Sequence, residues 1–285
     1  MIDLVNRWLP RRWRSPPPIP EPLWRQTLAA YPFLARLEAA ERKRLRWLSS
    51  HFLLEKEFHP ANGLSFDDGM ALAIAVQACL PLLYMHAPSG QPVRHPLRVL
   101  DWYDDFVGIV VQPGAVLARR KSVDGAGVVH HYNEVLAGEA MDRGPIMLSW
   151  DAVQGTPEET PGGSNVVIHE FVHKMDMRNS RYGDAPDGAP PLPDRFMGTH
   201  SRTEAGRLWR HTMEQAYEAF REAVLLAERF GGEKPWLDDY AATHPAEFFA
   251  VTSEAYFLHR DQFANAFPSL LPLYDGFFRP GTLEP

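Results

Sequence analysis

Three residues in one short run carry the clearest chemistry of this chain. Within NVVIHEFVHKMDM, His169, Glu170 and His173 form the pattern H-E-x-x-H. On a helix, residues four apart lie one turn from each other, with Cβ atoms about 5–6 Å apart. Two imidazoles at that spacing reach one tetrahedral Zn2+ at about 2.0–2.1 Å. Ile168, Val172 and Met175 share a different face, so the pattern belongs to an amphipathic helix with a side to bury. Glu170 is turned about 100° from His169. That frees it from ligation and suits it to take a proton from water, as the general base of peptide hydrolysis.

A catalytic zinc takes a third protein ligand and leaves one position open. Downstream, LDDYAATHPAEFFAVTSEAYF offers Glu247 and Glu254, seven apart and so on one helix face. Spacing does not choose between them. His244 and Asp239, at the start of that helix, are weaker competitors. Asp176 follows His173 by three residues on the ligand side, where it either orients an imidazole or serves the helix C-terminus.

Composition restricts what can surround such a site. The 285 residues are 45% hydrophobic and 23% charged, as in an ordinary globular protein. Lys and Arg number 29 against 36 Asp and Glu, a net charge of −7, which argues against a nucleic-acid-binding surface. A single cysteine, Cys79, excludes an internal disulfide and any Cys-rich zinc module. Four arginines and two tryptophans mark residues 1–14, but PPPIPEP follows them where a secretory signal has an apolar run. Residues 1–22 therefore read as a basic, Pro-rich tail, loosely docked or touching an anionic membrane surface. The apolar stretch from Met70 to Met85 is broken by Gln77 and Pro81, too short to span a bilayer and suited to a core helix. A cytoplasmic location is expected.

The remaining elements must position the motif. Residues 23–285 read as one domain, with a helical part over 23–90 and a sheet plus active-site helices over 91–285. Helix signals run from Leu23 to Phe58 and again from Asp67, so helix is predicted as far as about residue 86. VRHPLRVLDWY, FVGIVVQP, GVVHHYNEVLAG and GPIMLSW read as strands of one mixed or antiparallel sheet. The strand of Pro145–Trp150 is the expected cleft edge, where an extended substrate adds as a further strand. Helices are predicted over 165–177, 203–229 and from Pro245 to about His259, with a Pro/Gly loop over 181–196 as lid or rim.

GPIMLSW, NVVIHEFVHKMDMRN and DDYAATHPAEFFAVTSEAYF resemble the corresponding stretches of the Mlc titration factor A family. Its members are bacterial zinc-dependent peptidases, gluzincins related to the catalytic domain of anthrax lethal factor. The resemblance implies an α+β zincin-like fold with one Zn2+ per chain, held by His169, His173 and Glu247. It implies Glu170 as base and Tyr240, seven residues before Glu247, as a donor to the oxyanion, against a plain packing role for that ring. It also implies that His130, in GVVH, reaches the metal in a closed, inactive form. His131 is its rival, since a strand points neighbours in opposite directions. The activity implied is a peptidase, aminopeptidase-like activity included, acting on peptides or unstructured protein segments. The alternative, from the family's name, is an interaction module that sequesters a transcriptional repressor, its metal site structural or regulatory. Retention of Glu170 favours catalysis, because a structural metal site has no use for a base.

Overall fold

The computed structural model describes residues 15–88, 96–123, 129–155, 164–179 and 186–280; for 116–123 and 129–136 only the backbone is described. Proline opens the first helices, because its missing N–H is unpaired there anyway. α1 (Glu21–Ala30) and α2 (Pro32–Ala35) both carry Pro in the first turn. α3 (Ala39–Glu55) starts in a reciprocal capping box between Glu38 and Glu41. α4 (Asp68–Cys79) is capped by Asp67, which accepts from Met70 N at 2.9 Å, and is buried nearly all round. This is the core helix that the apolar run predicts.

The expectation of a helical portion as far as about residue 86 is corrected twice: β1 (Glu57–Pro60) lies between α3 and α4, and α4 ends at Cys79. The four residues of β1 have no alternating pattern; pairing decides their state. β1 runs parallel to β2 (Gly108–Gln112), with Glu57 opposite Gly108 and Pro60 opposite Val111. β2 in turn runs parallel to β6 (Ile146–Ser149), and β5 (Gly138–Ala140) is antiparallel to β6. The sheet is therefore mixed, in the order β1-β2-β6-β5. β3 (Val116–Val123) and β4 (Val129–Leu136) form a separate two-stranded hairpin, so the single-sheet expectation does not hold.

Two further expectations change. PLRVLDWY, read as strand, is a 3-10 helix over Pro96–Tyr103. Its aromatics anchor it to α4 and beyond: Trp102 Nε1 donates to His86 O at 2.8 Å and Tyr103 Oη to Ala78 O at 2.9 Å. The strand of GPIMLSW is internal, flanked by β2 and β5, and the sheet edge is β5 instead. Three residues leave too short a pattern for sequence to find that strand.

Beneath the sheet lie α5 (Trp150–Gln154) and α6 (Val166–Met177), followed by α7 (Arg202–Phe230), α8 (Pro245–Leu258), α9 (Arg260–Ala266) and α10 (Leu270–Phe278). α6 is used on three sides. Phe171 enters the core, its ring 4.8 Å from Tyr103 and 5.6 Å from Phe52. Val166, Glu170 and Lys174 turn toward the β5–β6 hairpin, and His169 and His173 toward α8. α8 is held from behind: Phe249 packs 5.6 Å from Trp209 of α7, and Trp209 stacks on Tyr274 of α10 at 5.9 Å. The result is the α+β, zincin-like architecture expected, with one hydrophobic core running from Ile19 to Phe278. Among the described residues no helix is long and apolar enough to cross a membrane.

Candidate metal centre

α6 begins at Asn165, whose side chain accepts from Ile168 N at 2.9 Å and fixes the first turn. One turn on, His169 and His173 stand with ring centroids 4.7 Å apart and planes at 77°. α8 begins at His244, whose Nδ1 accepts from Ala246 N at 3.2 Å, with Pro245 in the first turn. That start aims Glu247 at the two imidazoles. Glu247 Oε2 lies 3.0 Å from His169 Nε2 and 3.2 Å from His173 Nε2, and the two Nε2 atoms are 3.1 Å apart. Among the described residues these three make the one group able to hold a metal ion.

The electrostatics of this triangle show what it accommodates. His169 Nδ1 is 2.8 Å from Glu254 Oε1, so a neutral ring places its proton there and its lone pair on Nε2. Nε2 then faces the Glu247 carboxylate as one acceptor against another. Only positive charge reconciles them, either a shared proton or a cation. Burial opposes the imidazolium of His169, yet hydrogen bonds to Glu247 and Glu254 outweigh it and hold its pKa well above the ordinary value. Burial likewise pushes Glu247 up, and the two imidazoles overcome it, leaving the carboxyl below its usual range. Two imidazole nitrogens and one carboxylate oxygen are a donor set that suits Zn2+, and their spacings match the edge of about 3.3 Å of a tetrahedral shell.

Glu170 sits beside this triangle without joining it. Its side chain is buried, and burial raises its carboxyl above the ordinary range while His169 and His173 pull it back. Glu254 accepts the Asn165 N–H with its second oxygen, and Asn165 Nδ2 donates to Gln77 Oε1 of α4 at 2.6 Å. Tyr240 lies on a 3-10 turn (Asp239–Ala242), 38% exposed, its ring centroid 6.2 Å from that of His169.

The competitors fall elsewhere. His244 caps its helix, and Asp239 pairs with Lys234 at 3.4 Å. Asp176 orients no imidazole. Its carboxylate accepts from Gly188 N at 2.8 Å and Ala189 N at 2.9 Å and fastens the incoming loop, with burial pushing its pKa up to about 6. His130 and His131 lie on β4, opposite Ser122 and Lys121; their side chains are outside the described residues.

Sequence reasoning passed over two contributors. Lys174, next to His173, is fully buried; its Nζ donates to Asp105 Oδ2 at 3.0 Å, Met141 O at 2.5 Å and Gly144 O at 2.9 Å. Gly138 of β5 lies directly over Glu170. The signal available was the spacing of four along Val166, Glu170 and Lys174, which marks one helix face.

Known proteins match this chain along most of its length. Residues 5–279 match the family described as Glucose-regulated metallo-peptidase M90. Proteins named Mlc titration factor A are similar over nearly the whole chain. That of Escherichia fergusonii is 32% identical over 277 residues, covering 97% of this chain and 92% of its own. That of Enterobacter sp. strain 638 is 31% identical over 274 residues, covering 95% and 92%. That of Cronobacter sakazakii is 33% identical over 257 residues, covering 90% and 86%.

Proposed function

The chain belongs to the glucose-regulated metallo-peptidase M90 family, and on that premise we propose that it hydrolyses peptide bonds at a Zn2+ held by His169, His173 and Glu247. The observation that carries the reading is the triangle of two Nε2 atoms and one Oε2 atom, 3.0–3.2 Å apart, with a buried carboxylate beside it that takes no part in the triangle. Bound there, zinc supplies Lewis acidity toward a peptide carbonyl and toward water. Glu170 takes the proton of the attacking water and hands it to the leaving nitrogen. Tyr240 donates its phenolic proton toward the oxygen on which negative charge develops. Glu254 keeps the His169 ring turned so that Nε2 faces inward.

An extended peptide or an unstructured protein segment fits the half-buried edge strand β5, whose one strand neighbour among the described residues is β6. The deciding experiment measures zinc content and peptide turnover of the wild type beside Glu170→Gln. The variant keeps its zinc and loses about 10²–10⁴-fold in turnover, the usual contribution of a general base. Unchanged turnover in a metal-verified sample removes Glu170 from the mechanism.

A second reading rests on the name of the relatives, titration factors for a protein called Mlc. On it, this chain sequesters a transcriptional repressor, in the cytoplasm where such a partner works. Both activities fit on one molecule, and Glu170→Gln separates them: sequestration survives the substitution.

A further inference from the structure

Gly138 is the first residue of the edge strand, paired with Leu148 of β6. Ser149 N donates to Ala137 O at 2.7 Å just before it, which fixes the height at which the strand enters. At the far end of the hairpin, Lys174 grips the carbonyls of Met141 and Gly144. β5 is thus clamped onto the α6 face formed by Val166, Glu170 and Lys174. A Cβ added at Gly138 would stand 2.5 Å from Glu170 Oε1, 2.7 Å from Glu170 Cγ and 2.7 Å from Val166 Cγ2. No real Cβ tolerates such contacts. The backbone of Gly138 is not in the left-handed region, so conformational freedom is not what a glycine supplies here. Space is.

The geometry points to Gly138 as the positioning residue for Glu170: the bare α-carbon of the edge strand is the surface against which the Glu170 carboxylate is set beside the metal ligands. The inference rests on Glu170 acting as the base. A side chain at position 138 presses on both neighbours at once, and Glu170 is the one that yields further. Its carboxylate is the end of a flexible chain, whereas Val166, met at 2.7 Å through Cγ2, is β-branched and stiff and gives way only with its backbone. Substitution therefore displaces the base while leaving His169, His173 and Glu247, which lie on other faces of the fold, in place. Loss of alignment of the order of 1 Å is enough to cost about 10²-fold in rate.

The test is a double-mutant cycle on Gly138→Ala and Glu170→Ala, with melting temperature, zinc content and steady-state kinetics as readouts. Gly138→Ala is expected to retain full zinc, to lose about 10–100-fold in kcat and to leave KM nearly unchanged. Its lowering of the melting temperature should shrink in the Glu170→Ala background, where the Glu170 contact is gone and only that with Val166 remains. Should Gly138→Ala alone not fold, recovery of folded protein in the double variant reports the same coupling. Wild-type kcat in Gly138→Ala, loss of zinc from it, or an equal fall in melting temperature in both backgrounds each overturns the proposal. If Glu170→Gln turns over at the wild-type rate, the base assignment fails independently. A coupled melting cycle would then sustain the contact and overturn only its catalytic consequence.

Discussion

Glu254 Oε1 lies 2.8 Å from His169 Nδ1, while the other oxygen of the same carboxylate accepts the N–H of Asn165 at the head of α6. One side chain of α8 thus holds both the start of the motif helix and the ring it presents. Glu247, two turns earlier on α8, meets the opposite nitrogen of that ring at 3.0 Å. The two glutamates that spacing leaves equivalent address different edges of one imidazole.

Their substitutions should accordingly differ. Ala at His169, His173 or Glu247 is expected to abolish stoichiometric zinc, measured by metal analysis after dialysis. Glu254→Gln keeps all three donors and should weaken zinc by about 10–100-fold, the usual effect of removing a group that orients a ligand. Chelator competition reads that difference. A filled site in Glu247→Ala together with an empty one in Glu254→Ala would reverse the assignment.

Lys174 is expected to be a structural pillar. Its ammonium is fully buried against Asp105, two carbonyls and the face of Phe106, 4.7 Å from the ring centroid. Lys174→Met takes the donor from the Asp105 carboxylate and the Gly144 carbonyl, while Met141 O keeps the N–H of Gly144 at 3.0 Å. Breaking a buried pair from one side costs about 3–5 kcal/mol, so the denaturant midpoint should fall by that equivalent. A midpoint within error of the wild type would contradict the picture.

Most of the site could be read from the amino-acid sequence because its signals are local. His169 and His173 are one turn apart on a helix, and helical spacing is a property of the segment itself. Asp67, Asn165 and Pro245 mark their helix starts for the same reason. The candidate third ligand lies on a separate helix, and nothing local to α8 says which of Glu247 and Glu254 meets Nε2 of His169; the packing of α8 against α6 decides that. β1 and β5 were missed because four and three residues carry no period, and their state is set by β2 and β6. Lys174 and Gly138 escaped notice because their roles are contacts across the β5–α6 interface. Asp176 reads as orienting an imidazole or serving the helix C-terminus, but its partners are backbone amides of a loop whose path the sequence does not reveal.

Lys56 should leave a signature in stability against pH. Its Nζ donates to Phe106 O at 2.6 Å and to Tyr103 O, over the face of Phe106, and burial pushes its pKa down to about 8. In the unfolded chain the same group titrates near 10.4. Between those values the unfolded state binds the extra proton, so this residue makes stability rise with pH there, by at most about 1.4 kcal/mol per pH unit. Below about pH 8 both states are protonated and the contribution is flat. Urea unfolding of wild type and Lys56→Met over this range isolates it: the difference in free energy should be constant below pH 8 and grow in favour of the wild type above it. A constant difference throughout would mean that Lys56 is not desolvated.

Tyr240 is the residue whose proposed role rests most on chemistry. Its backbone is pinned: Tyr240 N donates to Asp238 Oδ1 at 2.9 Å, and Thr243 Oγ1 donates to Tyr240 O at 2.7 Å. Its neighbour Ala241 is fully buried, whereas the Tyr240 ring is 38% exposed and tilted at 36° to His169. Such exposure is a poor use of a tyrosine meant only for packing, and it puts the ring at the surface beside the candidate ligand His169. A donor that meets developing negative charge acts mainly in the transition state and adds little to ground-state binding. Tyr240→Phe should therefore lower kcat by about 10²-fold or more, with KM nearly unchanged. Zinc content and melting temperature should stay at wild-type values, because the ring remains and the ligands are untouched. Intact kcat would reduce Tyr240 to a surface residue, and a rise in KM alone would make it a substrate-binding group.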